Sequence, residues 1–260
     1  MRTARKLMVA AGVLLLAAFV EGAGPQFSSA WAATPAKVDG TADTWTPFLR
    51  PLGDIPMVIG VQNDADFLYL CFKTSNPFLK RQLLSTGLTV WANGKGNTNT
   101  NRGFGVRYPL VPKAKGDEEH RRVPPTPTPA EGSVSALVQP PPEFEFIGPN
   151  WDNRRRMEFG DEQPITAALG DDSGVMVLEL RIPLKASEAL PLAIGVTPGT
   201  PIGLELATMP APKPPGKVWA ENVGGHPSAA RDEDAPEMPA PFILWALVTL
   251  ATPPSPPAAK

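Results

Sequence analysis

A single cysteine, Cys71, in a chain of 260 residues excludes an intramolecular disulfide, and its position excludes a lipid-modified amino-terminal cysteine. Stability therefore has to come from a packed core. Cys71 itself, inside the apolar run from Phe67 to Phe72, reads as a small buried hydrophobe rather than a nucleophile. Histidine is nearly as scarce. His120 and His226 both fall in proline-dense polar stretches, where a general base would lack the rigid orientation that proton transfer requires. An excess of positive charge is missing too: 24 Lys and Arg stand against 26 Asp and Glu, with no basic stripe to collect phosphates, so nucleic acid is not an expected partner. The chain has no G-x-S-x-G elbow, no H-E-x-x-H zinc site, no P-loop and no dinucleotide fingerprint. Its paired carboxylates, Asp171-Asp172 and Glu118-Glu119, lie in turn-forming segments and read as solvated. The expectation is a protein that is not an enzyme and carries neither cofactor nor metal.

Long hydrophobic runs are confined to the amino terminus. Arg2, Arg5 and Lys6 precede an apolar stretch from Leu7 to Val20, and Ala30-Trp31-Ala32 places small residues at −3 and −1 of a cut. The stretch is shorter than the roughly 20 residues needed to span hydrocarbon. Residues 1–32 thus read as a signal peptide cleaved after Ala32. The mature chain would be a secreted or periplasmic protein with a net charge of −4 (21 basic minus 25 acidic residues), not membrane-spanning after cleavage.

What the chain has in abundance is proline, 33 residues, with 23 glycines. Proline lacks an amide donor and breaks helices, so many short elements are favoured over long ones. Its distribution is uneven: nine fall in 109–142, eight in 210–241 and four in 253–257. The first two stretches read as exposed insertions in a single domain over 33–251, and 252–260 as a disordered tail. Between them lie strand signals. Val175 to Ile182 alternates, with Met176, Leu178, Leu180 and Ile182 on one face and Glu179 and Arg181 on the other. Similar runs occur at Met57 to Gln62, Phe67 to Lys73, Gly87 to Ala92, Gly103 to Tyr108, Phe144 to Ile147, Ala193 to Val196, Pro201 to Met209 and Phe242 to Ala251. The last two are expected to pair as a long-looped closing hairpin. No amphipathic helix of ten residues stands out, so the expected fold is all-β, an antiparallel two-sheet sandwich with proline-rich loop insertions.

Five segments occur in an order that points further: Val38-Asp39-Gly40 with Thr44-Trp45, Asp66-Phe67-Leu68-Tyr69-Leu70, Gly87 to Gly94 containing Val90-Trp91-Ala92-Asn93, and Glu179-Leu180-Arg181-Ile182-Pro183-Leu184. Their order and spacing resemble the family 9 carbohydrate-binding modules and the DOMON-like β-sandwich superfamily, over roughly Ala36 to Met209. The resemblance implies a non-catalytic module binding carbohydrate or cell-envelope glycan. The superfamily hosts several functions, so a structural or protein-interaction sandwich, with another envelope protein as partner, stays open, as does the haem-binding electron-transfer branch. That branch uses a Met and a His on adjacent strands, which the positions of His120 and His226 oppose.

Sugar binding needs aromatic faces for pyranose C–H surfaces and planar polar groups for hydroxyls. The inventory is Trp45, Tyr69, Trp91, Trp151 and Trp219 with Asn93, Arg107 and Asn150. Trp91 alternates with Leu88, Val90 and Ala92, so it is expected on the outer face of its sheet. Trp151 lies on a turn-rich loop. These two form the expected stacking platform, with Asn93, Arg107 and Tyr69 as further ligand candidates, whereas Trp45 reads as a structural plug. Where many family members carry Asp-Pro after the tryptophan strand, this chain has Asn93-Gly94 followed by Asn97, Asn99 and Asn101. Neutral oxygens hold a hard dication poorly, so this loop reads as a polar hairpin rather than a calcium site. Arg154-Arg155-Arg156 reads as a solvated basic turn.

Overall fold

The computed structural model describes residues 24–97, 103–110, 143–148, 152–160, 164–186, 193–209 and 240–255. Most of the two expected insertions, residues 1–23 and 256–260 lie outside that set.

The strands run, in chain order, β1 Gln26–Ser28, β2 Ala30–Trp31, β3 Leu49–Leu52, β4 Ile55–Asn63, β5 Phe67–Thr74, β6 Leu88–Asn93, β7 Phe104–Tyr108, β8 Glu143–Ile147, β9 Arg154–Glu158, β10 Thr166–Asp172, β11 Val175–Pro183, β12 Pro201–Thr208 and β13 Ile243–Thr249. They build two mixed sheets packed as a sandwich. One has the order β1-β13-β12-β6-β7-β8-β9, the other β10-β11-β5-β4-β2 with β3 also on β4. Alternation explains the core: Leu68, Leu70 and Phe72 of β5, Leu88, Val90 and Ala92 of β6, Met176, Leu178, Leu180 and Ile182 of β11, and Ile202, Leu204 and Leu206 of β12 all point inward. Each fully buried aliphatic side chain of this kind contributes about 1.5–3 kcal/mol.

Turn chemistry places the hairpins. Asp64 Oδ1 accepts from the Asp66 and Phe67 amides at 2.8 and 2.7 Å between β4 and β5. Ser173 and Gly174, both at positive φ, join β10 to β11 in a two-residue loop. The closing hairpin forms as expected, with Pro201 opposite Thr249 and Ala207 opposite Ile243.

Three features depart from the sequence reading. A ten-residue helix, α1, spans Pro77–Thr86. Its signals are local: Asn76 accepts from the Leu79 amide at 2.9 Å, Pro77 opens the first turn, and Gly87 at φ 74 ends it by donating to the Leu83 carbonyl. The Ala193 to Val196 segment is not a strand. Gly195 at φ 82 breaks the extended run, and the amides of Ile194, Gly195 and Val196 bond instead to the carbonyls of Pro183 and Leu184 at the end of β11. Nor are the sheets wholly antiparallel, because β1 pairs in parallel with β13 and β2 in parallel with β4. A single segment therefore crosses at Ser29 from one sheet to the other and covers an edge of each. The folded strands thus begin at Gln26, upstream of the expected domain start at Ala33.

Among the described residues no helix is long and apolar enough to cross a membrane.

Candidate functional site

Each sheet has an outer face, and both carry a buried glutamate. On the six-stranded sheet this is Glu179 of β11, 0 % exposed. Its Oε2 accepts from the Asp39 and Gly40 amides at 2.8 and 2.6 Å, and its Oε1 from Trp45 Nε1 at 2.6 Å. Trp45 lies over Gly60, where a Cβ would sit 2.7 Å from the indole, and packs with Tyr69, Cys71 and Val177 beneath the segment from Ala32 to Leu49. The expected plug role of Trp45 is thus what the structure shows, and Cys71 is buried, its thiol pushed well above the ordinary range by desolvation and then by Glu179. Burial also raises the Glu179 carboxyl, outweighing its three hydrogen bonds. This face is closed by the chain itself.

Tyr69 belongs here, which corrects its placement among the ligand candidates. Odd positions of β5 face away from the core on this sheet, so Tyr69 is fully buried under the amino-terminal segment and donates to Asp64 Oδ2 at 2.6 Å.

The outer face of the seven-stranded sheet is different. Strand register places Trp245 of β13, Glu205 of β12, Trp91 of β6, Gly105 of β7, Ile147 of β8 and Arg154 of β9 in one row. The adjacent row on the same face runs Ala207, Thr89, Arg107, Glu145, Arg156. Trp91 does point away from the core, as alternation requires, but it is 0 % exposed, so the open stacking face expected of it is not there. The physical reason lies partly across the strand. Gly105 has no side chain, and the indole lies over that gap, where a Cβ would be 2.6 Å from Cε3. Trp151, the other half of the expected platform, lies outside the described residues, as do Asn150, Trp219, His120 and His226.

Asn93 and Arg107 share this face with Trp91, though both have structural duties. Asn93 Oδ1 accepts from the Lys95 amide and its Nδ2 donates to Asn97 Oδ1, each at 2.7 Å, which makes the polar turn that the sequence suggested. Arg107 Nη2 pairs with Glu145 Oε2 at 3.0 Å, and Arg154 reaches the same oxygen at 3.5 Å. Arg154 and Arg156 stand on edge strand β9, paired with Glu145 and Glu143, rather than in a turn.

Sequence reading missed Glu205, Trp245 and Thr89. Glu205 is 4 % exposed, and among the described residues nothing hydrogen-bonds to it or pairs with it; desolvation pushes its carboxyl up. Thr89 Oγ1 and Arg107 Nε, in the neighbouring row, are also buried without a partner among the described residues. Trp245, half-buried, is the direct cross-strand neighbour of Glu205 on the side away from Trp91. A signal existed in the lone charge of Gly203-Leu204-Glu205-Leu206, flanked by apolar residues inside a strand. The face therefore combines an acceptor, a hydroxyl and an N–H, all unmet among the described residues, with two tryptophans on either side of the acceptor. Buried polar groups are nearly always satisfied, so this cluster stands out among the described residues.

No family model matches this chain, and no curated protein does. Among solved structures it is similar to a family 9 carbohydrate-binding module from Caldicellulosiruptor kristjanssonii in complex with glucose, at 11 % identity and TM-score 0.36, over 72 % of this chain and 80 % of that one. It is likewise similar to such a module from the same organism in complex with cellotriose, at 12 % identity and TM-score 0.35, over 72 % and 78 %. The DOMON-like side of the resemblance finds no support in either.

Proposed function

We propose that the protein is a non-catalytic carbohydrate-binding module whose ligand contacts the outer face of the seven-stranded sheet around Glu205. The observation that carries this is the Glu205 carboxylate, buried yet without a donor among the described residues, between Trp91 and Trp245 in cross-strand register. A pyranose supplies hydroxyl donors for the carboxylate, acceptors for Arg107 Nε, and a C–H surface for the half-buried Trp245. The site is a reader of neutral glycans, because an anionic group beside an unpaired carboxylate is repelled.

Calorimetric titration with a panel of soluble neutral glycans, glucose and cellotriose among them, tests the reading. Wild-type protein should bind at least one member, and Glu205→Gln should weaken it with the fold intact. A wild type that binds none of the panel overturns it. The second reading is docking of another envelope protein, favoured by Ile243, 68 % exposed on the same face of β13 as Trp245.

A further inference from the structure

The segment from Gly24 to Ala32 is stitched into both sheets. The Leu247 amide donates to the Pro25 carbonyl at 3.0 Å, the Ser29 amide to the Thr249 carbonyl at 3.0 Å, and the Ala32 amide to the Asn63 carbonyl at 2.8 Å. Ser29, itself buried, donates through Oγ to Asn63 Oδ1 and accepts from the Ala251 amide at 2.8 Å. Asn63 Oδ1 accepts from that same amide at 2.8 Å, while its Nδ2 donates to the Ala251 carbonyl at 3.0 Å. One serine and one asparagine thus tie the two sheets together at their shared edge. Even residue 24 is engaged, since a Cβ on Gly24 would collide with the Trp245 carbonyl oxygen.

A cut after Ala32 would remove β1 and β2, strip this junction and bare two sheet edges. The chemistry of leader removal offers few other positions, because the peptidase reads small side chains at −1 and −3. Gly22-Ala23-Gly24 meets that rule but is followed by Pro25, whose tertiary amide is a poor scissile bond. Glu21-Gly22-Ala23 puts a charge at −3. Val20-Glu21-Gly22 puts glycine at −1 and a compact, uncharged side chain at −3, the last residue of the apolar stretch, and a cut there leaves Gly24 and everything after it in place.

We infer that the chain is processed between Gly22 and Ala23, and that residues 24–32 remain as a permanent edge strap of the folded sandwich. The step is hydrolysis: water adds across the Gly22–Ala23 peptide bond, leaving a carboxylate on Gly22 and a free amine on Ala23. The ten residues from Ala23 to Ala32 carry no charge, so charge separation does not distinguish the two products and direct sequencing does.

The test is expression of the full chain in an exporting host, then amino-terminal sequencing and intact mass of the exported protein. A first residue of Ala23 is expected; a start at Ala33, or an uncut chain beginning at Met1, overturns the inference. A second variant joins the leader directly to Ala33, deleting residues 23–32. It should lose at least about 5 °C of thermal midpoint, or fail to accumulate. An unchanged midpoint would show that the strap is dispensable and overturn its part of the inference.

Discussion

Glu179 and Glu205 are the same residue type, each buried on the outer face of one of the two sheets, each near a tryptophan, yet their surroundings differ in kind. Glu179 receives three N–H donors from the chain's own amino-terminal segment. Glu205 receives none from the described residues. Desolvating a carboxylate costs several kcal/mol unless donors replace the lost water, so the Glu179 arrangement holds the fold together and the Glu205 arrangement is a standing cost to it. That contrast between a satisfied face and an unsatisfied one is what the proposed glycan site rests on.

The largest effect should come from dismantling the satisfied side. Glu179→Leu leaves three donors without their acceptor, two of them buried, and should cost on the order of 4 kcal/mol in urea denaturation. Trp45→Ala, which removes the plug from the same cluster, should cost about 3–5 kcal/mol. If either variant unfolds like the wild type, the amino-terminal segment is not a structural cover.

The unsatisfied side should respond in the opposite sense. Glu205→Gln should hold or raise the thermal midpoint at neutral pH, while glycan affinity falls about tenfold or more, as the loss of a charge-assisted hydrogen bond requires. A large fall in stability would make Glu205 a structural group like Glu179.

The two tryptophans beside Glu205 sharpen the contrast. Trp91→Ala should act as a core truncation, costing about 3–5 kcal/mol. Trp245→Ala should cost much less stability and weaken glycan binding by about two- to tenfold, the value of an aromatic stacking contact. Equal losses of stability in the two variants would remove Trp245 from the site.

The smallest effect is in pH dependence. The Glu205 carboxyl is raised by burial, so between its unfolded and folded values the folded state holds the proton that the unfolded chain has released. Stability should therefore fall as pH rises through the folded value. Glu205→Gln should remove that part of the slope, measured as thermal midpoints across the acid to neutral range, and bound glycan should reduce it in the wild type.

Much of this protein was legible in one dimension. Two-residue alternation told which side of each strand was apolar, and the inward residues of β5, β6, β11 and β12 obey it. The segments Val38-Asp39-Gly40, Trp45 and Glu179 marked their elements because they meet at one carboxylate, and the hairpin of β12 and β13 was readable from two flanking runs. Helix α1 was legible too, in Asn76-Pro77 and Gly87, but its ten residues were outweighed by the strand signals around it. Alternation says which face a side chain takes; it does not say what lies opposite or above it. Tyr69 and Trp91 both point away from the core, and only the tertiary structure shows that each is covered. The same limit hid Glu205 and Trp245. They are far from Trp91 in sequence, and only the register of β13, β12 and β6, set by long-range pairing, brings the three into one row.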